Sequence, residues 1–344
     1  MRSILISLPC AAILLGIGAA MAGESAEMPG AAVAQQRAWP ETISPEARQA
    51  FSRLPSVARL ASLTEPPAIG QLRESAACVQ KAVAARQLRR YPVDITEGVI
   101  AGTPVKIVTP RNIPEANIRR VLINLHGGGF TVDSGSLSEN IPIAWLARTK
   151  VVAVLYPLSP EHQFPAAVDA VIAVYREILK THRPGGVVLY GTSAGAVLTG
   201  EVAVRLKALG LPMPAALGFF SGSADLSRRG FSESDPSMPE TGHALAEAIA
   251  QYAGGHDLAD PMISPLLADL SGLPPTLLMT GTRDILLSQT TIFHRALIKA
   301  GVPAELVVFE AMPHAHWSYL DIPESAEAFQ TMADFFIKHL NQKT

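Results

Sequence analysis

The sequence has almost no cysteine and no concentration of charge. Cys10 and Cys78 are the two cysteines in 344 residues. Cys10 lies in an N-terminal apolar stretch. Once that stretch is removed Cys78 stands alone, and no intrachain disulfide can form. Its neighbours Ala76, Ala77 and Val79 predict a buried side chain acting as a small hydrophobe. Lysine and arginine total 28 against 30 acidic residues, a formal charge of −2, and no run of five basic residues occurs. That balance argues against nucleic acid or an anionic membrane surface as the main partner. Also missing are an H-E-x-x-H pattern, a cysteine pair at zinc spacing, a Walker loop and a Rossmann G-x-G-x-x-G. The chemistry read below needs no metal and no cofactor. There is no internal repeat and no low-complexity tract.

What is present is a globular composition, 48% hydrophobic and 17% charged, on a chain long enough for one large domain. Residues 1–22 read as a secretory signal: Arg2 is the positive start, Ile4 to Ala20 is apolar, and Ala20-Met21-Ala22 is a cleavage site before Gly23. An uncleaved anchor is the alternative, and Pro9 within the stretch counts against it. The expectation is an exported protein, periplasmic or secreted, with no membrane span after cleavage. Residues 23–39 read as a flexible lead-in. Residues 40–344 read as a single domain whose cap comes from 40–90 and 221–260.

The segment from Ser44 to Arg90 is helical in pattern, starting at Ser44-Pro45-Glu46, with Phe51, Leu54, Val57 and Leu60 able to line one face. A second helix is expected from Ile69 to Leu88. Short apolar runs then alternate with helical periodicity. The runs are Val105–Val108, Val121–Leu125, Val151–Leu155, Val187–Tyr190, Leu217–Phe220, Thr276–Thr280 and Leu306–Phe309. Runs without polar alternation suit strands buried on both faces of a mostly parallel sheet. Repeated βα units predict a doubly wound α/β domain. Ser221 to Leu273 breaks the rhythm, with a helix expected from Gly242 to Tyr252. Long excursions at the carboxyl edge of such a sheet are where substrate pockets form.

Gly191-Thr192-Ser193-Ala194-Gly195 follows one of these strands and opens a helix, the context of a G-x-S-x-G nucleophile elbow. The sharp reversal strains the serine backbone and demands small neighbours. His126-Gly127-Gly128-Gly129 follows another strand, and its N–H groups, with that of Ala194, can form an oxyanion hole. His126 itself reads as a loop anchor. A serine needs a base and the base needs orienting. Asp284 and His314 each follow a strand and sit at the same sheet edge as Ser193. Asp225 is the rival acid and His316 the rival base.

Together these residues resemble the bacterial hormone-sensitive-lipase family of esterases, from about Val121 to the C-terminus. His126-Gly127-Gly128-Gly129-Phe130 matches its oxyanion motif. Gly191-Thr192-Ser193-Ala194-Gly195 matches the threonine-containing branch of its nucleophile motif. Ser159-Pro160-Glu161-His162-Gln163-Phe164-Pro165-Ala166-Ala167, Asp260-Pro261 with Ser264-Pro265-Leu266, and Gly281-Thr282-Arg283-Asp284-Ile285-Leu286-Leu287 are similar to further family stretches. Two departures stand out: Leu155-Tyr156-Pro157-Leu158 replaces Asp-Tyr-Arg-Leu, and Ala315-His316 replaces Gly-Phe. The resemblance implies an α/β-hydrolase fold, a mostly parallel eight-stranded sheet flanked by helices, with a helical cap. It implies Ser193, Asp284 and His314 as the triad, Gly127, Gly128, Gly129 and Ala194 as the oxyanion hole, and short- to medium-chain acyl esters as substrates. Relatives often form homodimers. A lactonase or amidase with the same triad, a transferase to an alcohol, and a non-catalytic binder on this fold are the competing expectations.

Overall fold

The computed structural model describes residues 39–53, 68–111, 113–235 and 242–341. The signal read over 1–22 and the lead-in up to residue 38 lie outside the described residues. So do Leu54, Val57 and Leu60, and the segment 236–241.

Eight strands form one sheet in the order β1-β2-β4-β3-β5-β6-β7-β8. They are β1 Val93–Ile100, β2 Thr103–Pro110, β3 Val121–Leu125, β4 Lys150–Val154, β5 Val187–Thr192, β6 Ala216–Phe220, β7 Thr276–Arg283 and β8 Ala304–Pro313. β1 and β2 form an antiparallel hairpin, and β2 meets β4 antiparallel. The remaining pairs are parallel. The α/β-hydrolase fold expected from the motifs is therefore the fold observed.

The central strands are apolar on both faces because both faces are covered. In β3, Val121, Ile123 and Leu125 face one core while Leu122 faces the other. β5 repeats this with Val187 and Leu189 against Val188 and Tyr190. Helices α4 (Ala166–Leu179), α5 (Ala194–Ala208) and α7 (Leu287–Lys299) supply the first core. Helices α3 (Asn140–Ala147) and α8 (Pro323–Leu340) supply most of the second. A buried aliphatic or aromatic side chain contributes roughly 1.5–3 kcal/mol relative to an exposed one, so these two layers hold the sheet edge that carries the loops.

β1 has no counterpart in the sequence reading. Its run Val93-Asp94-Ile95-Thr96-Glu97-Gly98-Val99-Ile100 has only its first residue buried. An edge strand open to solvent needs no apolar run, so the apolar signal was too weak there. Cys78 is a correction. It is exposed, not buried. Helix α2 (Ile69–Gln87) buries the stripe Ala76, Val79, Gln80, Val83, Ala84 and Gln87, and position 78 falls beside that stripe at the helical period.

Two helical segments lie outside the βα repeat. The first comprises α1 (Pro45–Arg53) and α2. Ser44 anchors α1 to the C-terminal helix, its N–H and hydroxyl donating to Glu324 at 2.7 and 2.9 Å. α2 lies along the loop after β3. Arg73 donates to the carbonyls of Thr131 and Ser159 and pairs with Glu161, while Gln80 donates to the Asp133 carbonyl. The second is α6 (Gly242–Ala253), from the excursion between β6 and β7.

Candidate active site

Ser193 sits between β5 and α5 with φ 58° and ψ −121°. A positive φ is strained for any residue with a Cβ. It is held by the Ser193 N–H donating to the Phe220 carbonyl at 2.8 Å. The flanking glycines are dictated by close approach. A Cβ on Gly195 would lie 1.9 Å from the Leu125 carbonyl oxygen, and one on Gly191 would lie 2.2 Å from the Gly195 carbonyl oxygen. Only glycine lets the turn press against β3 and lift the serine hydroxyl from the sheet edge.

The structure brings three of the expected side chains together. Ser193 Oγ is 3.0 Å from His314 Nε2, and His314 Nδ1 is 2.8 Å from Asp284 Oδ1. Asp284 follows β7 directly and His314 follows β8 directly, so adjacent parallel strands deliver both to one edge. The Asp284 carboxyl is fully buried. Besides His314, its Oδ1 accepts the Leu286 N–H at 2.9 Å, and its Oδ2 accepts the Thr280 hydroxyl at 2.8 Å.

The electrostatics of the pair follow from that geometry. Burial pushes the Asp284 carboxyl up, but the adjacent His314 and hydrogen bonds from His314, Ser221 and Leu286 outweigh it, and the net direction is down. Burial pushes His314 down, but the Asp284 charge and hydrogen bond carry it above its ordinary value, with Glu139 adding in the same direction where it is ionised. The pair is thus disposed to hold an imidazolium beside a carboxylate.

The rivals lie elsewhere. The Asp225 carboxylate accepts the N–H and hydroxyl of Ser227 at 2.9 and 2.6 Å, which closes its own turn. His316 is fully buried, edge-on to Phe309 and Trp317, and burial lowers its imidazole to about 4. His126 stacks on Tyr156 with centroids 4.2 Å apart, and its Nδ1 lies 2.8 Å from the Gly127 carbonyl.

The glycine loop lies against the serine. A Cβ on Gly127 would come within 3.3 Å of Ser193 Cβ. Gly128 has φ +116°, and a Cβ there would meet the Val132 carbonyl oxygen at 2.1 Å. The Gly128 carbonyl accepts the N–H groups of Thr131 and Val132, and the Gly127 carbonyl accepts that of Ser134. These bonds turn the loop carbonyls inward to the protein. Among the described residues, no protein acceptor takes the N–H of Gly128, Gly129 or Ala194. Ala194 is the first residue of α5, where the N–H has no partner within the helix and the dipole favours negative charge.

Sequence reasoning missed Thr280, Ser221 and Glu139. Thr280 lies within a strand run and Ser221 at a strand end, positions with no motif of their own. Glu139 is fully buried, and burial raises its carboxyl to about 8 despite the facing Thr192, Asn124 and Trp317 donors. It lies just before a helix, ten residues past Gly129, and belongs to no motif.

A family model described as the alpha/beta hydrolase fold matches residues 122–318. An acetyl-hydrolase of Streptomyces hygroscopicus is 34% identical over 223 residues, which is 63% of this chain and 75% of that protein. An esterase of Acinetobacter venetianus is 30% identical over 234 residues, 64% of this chain and 76% of its own. Among solved structures, a crystallised esterase superposes with a TM-score of 0.78 at 31% identity, covering 92% of this chain and 99% of that one. Another, described as an esterase from the bacterial hormone-sensitive lipase family, gives 0.76 at 27% identity, covering 87% and 99%.

Proposed function

The chain belongs to the α/β-hydrolase family, in its bacterial hormone-sensitive-lipase branch, and on that premise we propose that it hydrolyses short- to medium-chain carboxylic esters through an acyl-enzyme on Ser193. The observation that carries the reading is the unbroken chain from Asp284 through His314 to Ser193 Oγ, at 2.8 and 3.0 Å.

In the first step Ser193 Oγ attacks the ester carbonyl while His314 Nε2 takes its proton. Asp284 accepts the Nδ1–H, keeping Nε2 free as base, and stabilises the imidazolium that forms. The carbonyl oxygen becomes negative beside the N–H groups of Gly128, Gly129 and Ala194, with Gly127 closing the loop behind them. Donors aimed at charge that exists only in the transition state lower the barrier without tightening ground-state binding. The tetrahedral species collapses, the alcohol leaves with the proton from His314, and an acyl-Ser193 remains. Water then attacks, His314 takes its proton, and the acid departs as Ser193 recovers its hydrogen. We read α1–α2 and the excursion carrying α6 as the cap that bounds the acyl and alcohol sites. We also propose export after removal of residues 1–22; the mature N-terminus found by sequencing should be Gly23.

The test is hydrolysis of p-nitrophenyl esters from acetate to palmitate by wild type and Ser193→Ala. Activity should peak at short or medium acyl chains and be lost in the variant, with folding intact. A folded wild type inactive on every ester, but active on a lactone or an amide, would refute the ester assignment. Full activity in the variant would refute the nucleophile.

A further inference from the structure

Two buried polar groups take no part in the chemistry above: the Glu201 carboxyl and the Tyr252 phenol. Glu201 lies on α5, about two turns beyond Ser193. Tyr252 lies near the end of α6, on the excursion between β6 and β7. The Tyr252 hydroxyl donates to Glu201 Oε2 at 2.6 Å. Burial pushes both groups well above their ordinary values, which favours the uncharged form of each.

The other face of Tyr252 reaches the glycine loop. Its ring lies flat on Phe130, centroids 3.7 Å apart and planes 5° from parallel. Phe164 meets it edge-on at 6.0 Å, and the Phe164 N–H donates to the Tyr252 carbonyl at 2.7 Å. Phe130 directly follows Gly129 and has φ +63°. That conformation is unusual for a bulky side chain and persists only where surrounding structure over-determines it. Here the restraints are the stack on Tyr252 and the Phe130 carbonyl accepting the Ser159 N–H at 2.9 Å. Gly129 itself faces the same helix: a Cβ on it would sit 3.6 Å from Ala248 Cβ.

The oxyanion site assigned above is split between two pieces of chain. Gly128 and Gly129 belong to the loop after β3, and Ala194 belongs to α5. Donors to one developing charge must keep a fixed relative position to within about 0.5 Å. The chain Glu201–Tyr252–Phe130 ties the loop back to the helix that carries Ala194 and Ser193. We propose that Tyr252, anchored by Glu201, is a positioning residue that sets the oxyanion loop through Phe130. The cap helix is on this account part of the transition-state frame as well as a wall over the site. The proposal rests on the esterase reading, since it concerns the donors that reading assigns.

The experiment compares wild type, Tyr252→Phe, Phe130→Leu and the double variant on a short-chain p-nitrophenyl ester. Affinity for a trifluoromethyl ketone, which forms a tetrahedral adduct on a serine nucleophile, is measured alongside. Tyr252→Phe keeps the ring and removes only the hydroxyl. The expected result is a fall in kcat of about tenfold to a hundredfold, short of the loss when an oxyanion donor is removed outright. KM should stay within about twofold, and the ketone should weaken in parallel with kcat/KM. Phe130→Leu should behave alike, and the double variant should fall well short of the product of the two losses. Wild-type kcat in a folded Tyr252→Phe, a loss confined to KM, or fully multiplicative losses would overturn the proposal. If Tyr252→Phe folds too poorly for kinetics, Phe130→Leu decides alone, and unchanged kcat there overturns it. Hydrogen exchange of the peptide spanning residues 126–134 reads the device without turnover. It should rise in Tyr252→Phe, and no rise overturns the proposal. A wild type inactive on all esters would sink the esterase reading, while the exchange result stands or falls separately.

Discussion

Asp284→Asn separates the charge of the buried carboxyl from its shape. Two N–H donors, from His314 and Leu286, converge on Oδ1, and the Thr280 hydroxyl faces Oδ2. The amide oxygen fits only the Oδ1 position, since an NH2 group there would meet two donors. The hydroxyl of Thr280 can rotate to accept from the amide at the other position. The imidazole therefore keeps its proton on Nδ1 and its lone pair toward Ser193. What is lost is the attraction between carboxylate and imidazolium, about 4 kcal/mol at a charge separation of roughly 4 Å and an effective dielectric constant near 20. The expected fall in kcat/KM is about a thousandfold. A loss nearer ten-thousandfold would mean that the amide turned its nitrogen to His314 and imposed the wrong tautomer. The pH profile supplies the second readout. In wild type the Asp284 charge holds His314 above its ordinary value of 6.5. Activity requires neutral His314, so the acid limb should lie above 6.5. Without the carboxylate, burial dominates and the acid limb should move below that value. A fall in kcat/KM of less than about tenfold, or an acid limb that does not move down, would refute the reasoning.

Three further outcomes follow from the same geometry. Gly195→Ala places a methyl 1.9 Å from the Leu125 carbonyl oxygen, so the elbow must shift; a stability loss of about 3 kcal/mol or more, read by urea denaturation, should accompany the collapse of activity. Thr280→Val removes the hydroxyl that serves Asp284 Oδ2 and should cost about 1–3 kcal/mol of stability, which the same denaturation curves measure; an unchanged midpoint would show that the hydroxyl is not needed. His316→Phe should leave the acid limb of the pH–rate profile in place, because that imidazole is buried between Phe309 and Trp317; a displaced limb would reopen its claim as base.

The turn at Ser193 and the glycine loop were legible because each is bound to a local constraint. The turn at Ser193 admits only small neighbours, and Gly191 and Gly195 show why in the clash distances. The glycines at 127–129 follow a strand for a comparable reason. The buried strands were legible as apolar runs because helices cover both faces. β1 was not, since an exposed edge strand carries no such run. Cys78 was misread because its immediate neighbours are apolar, whereas burial on a helix depends on residues three and four away.

What the chain order alone determined is the set of candidate parts: the turn at Ser193, the glycine loop at 127–129, and Asp284 and His314 each placed after a strand. Those features rest on short-range sterics and hydrogen bonding, which neighbouring residues specify. Only the tertiary structure shows Asp284 and not Asp225 beside His314, and His314 and not His316 beside Ser193, because those contacts join side chains across parallel strands far apart in sequence. It alone revealed the Thr280 hydroxyl on Asp284, the buried Glu139 carboxyl, and the Glu201–Tyr252–Phe130 chain joining α6 to the glycine loop. Such contacts are long-range packing events, and no periodicity or motif within a single segment encodes them.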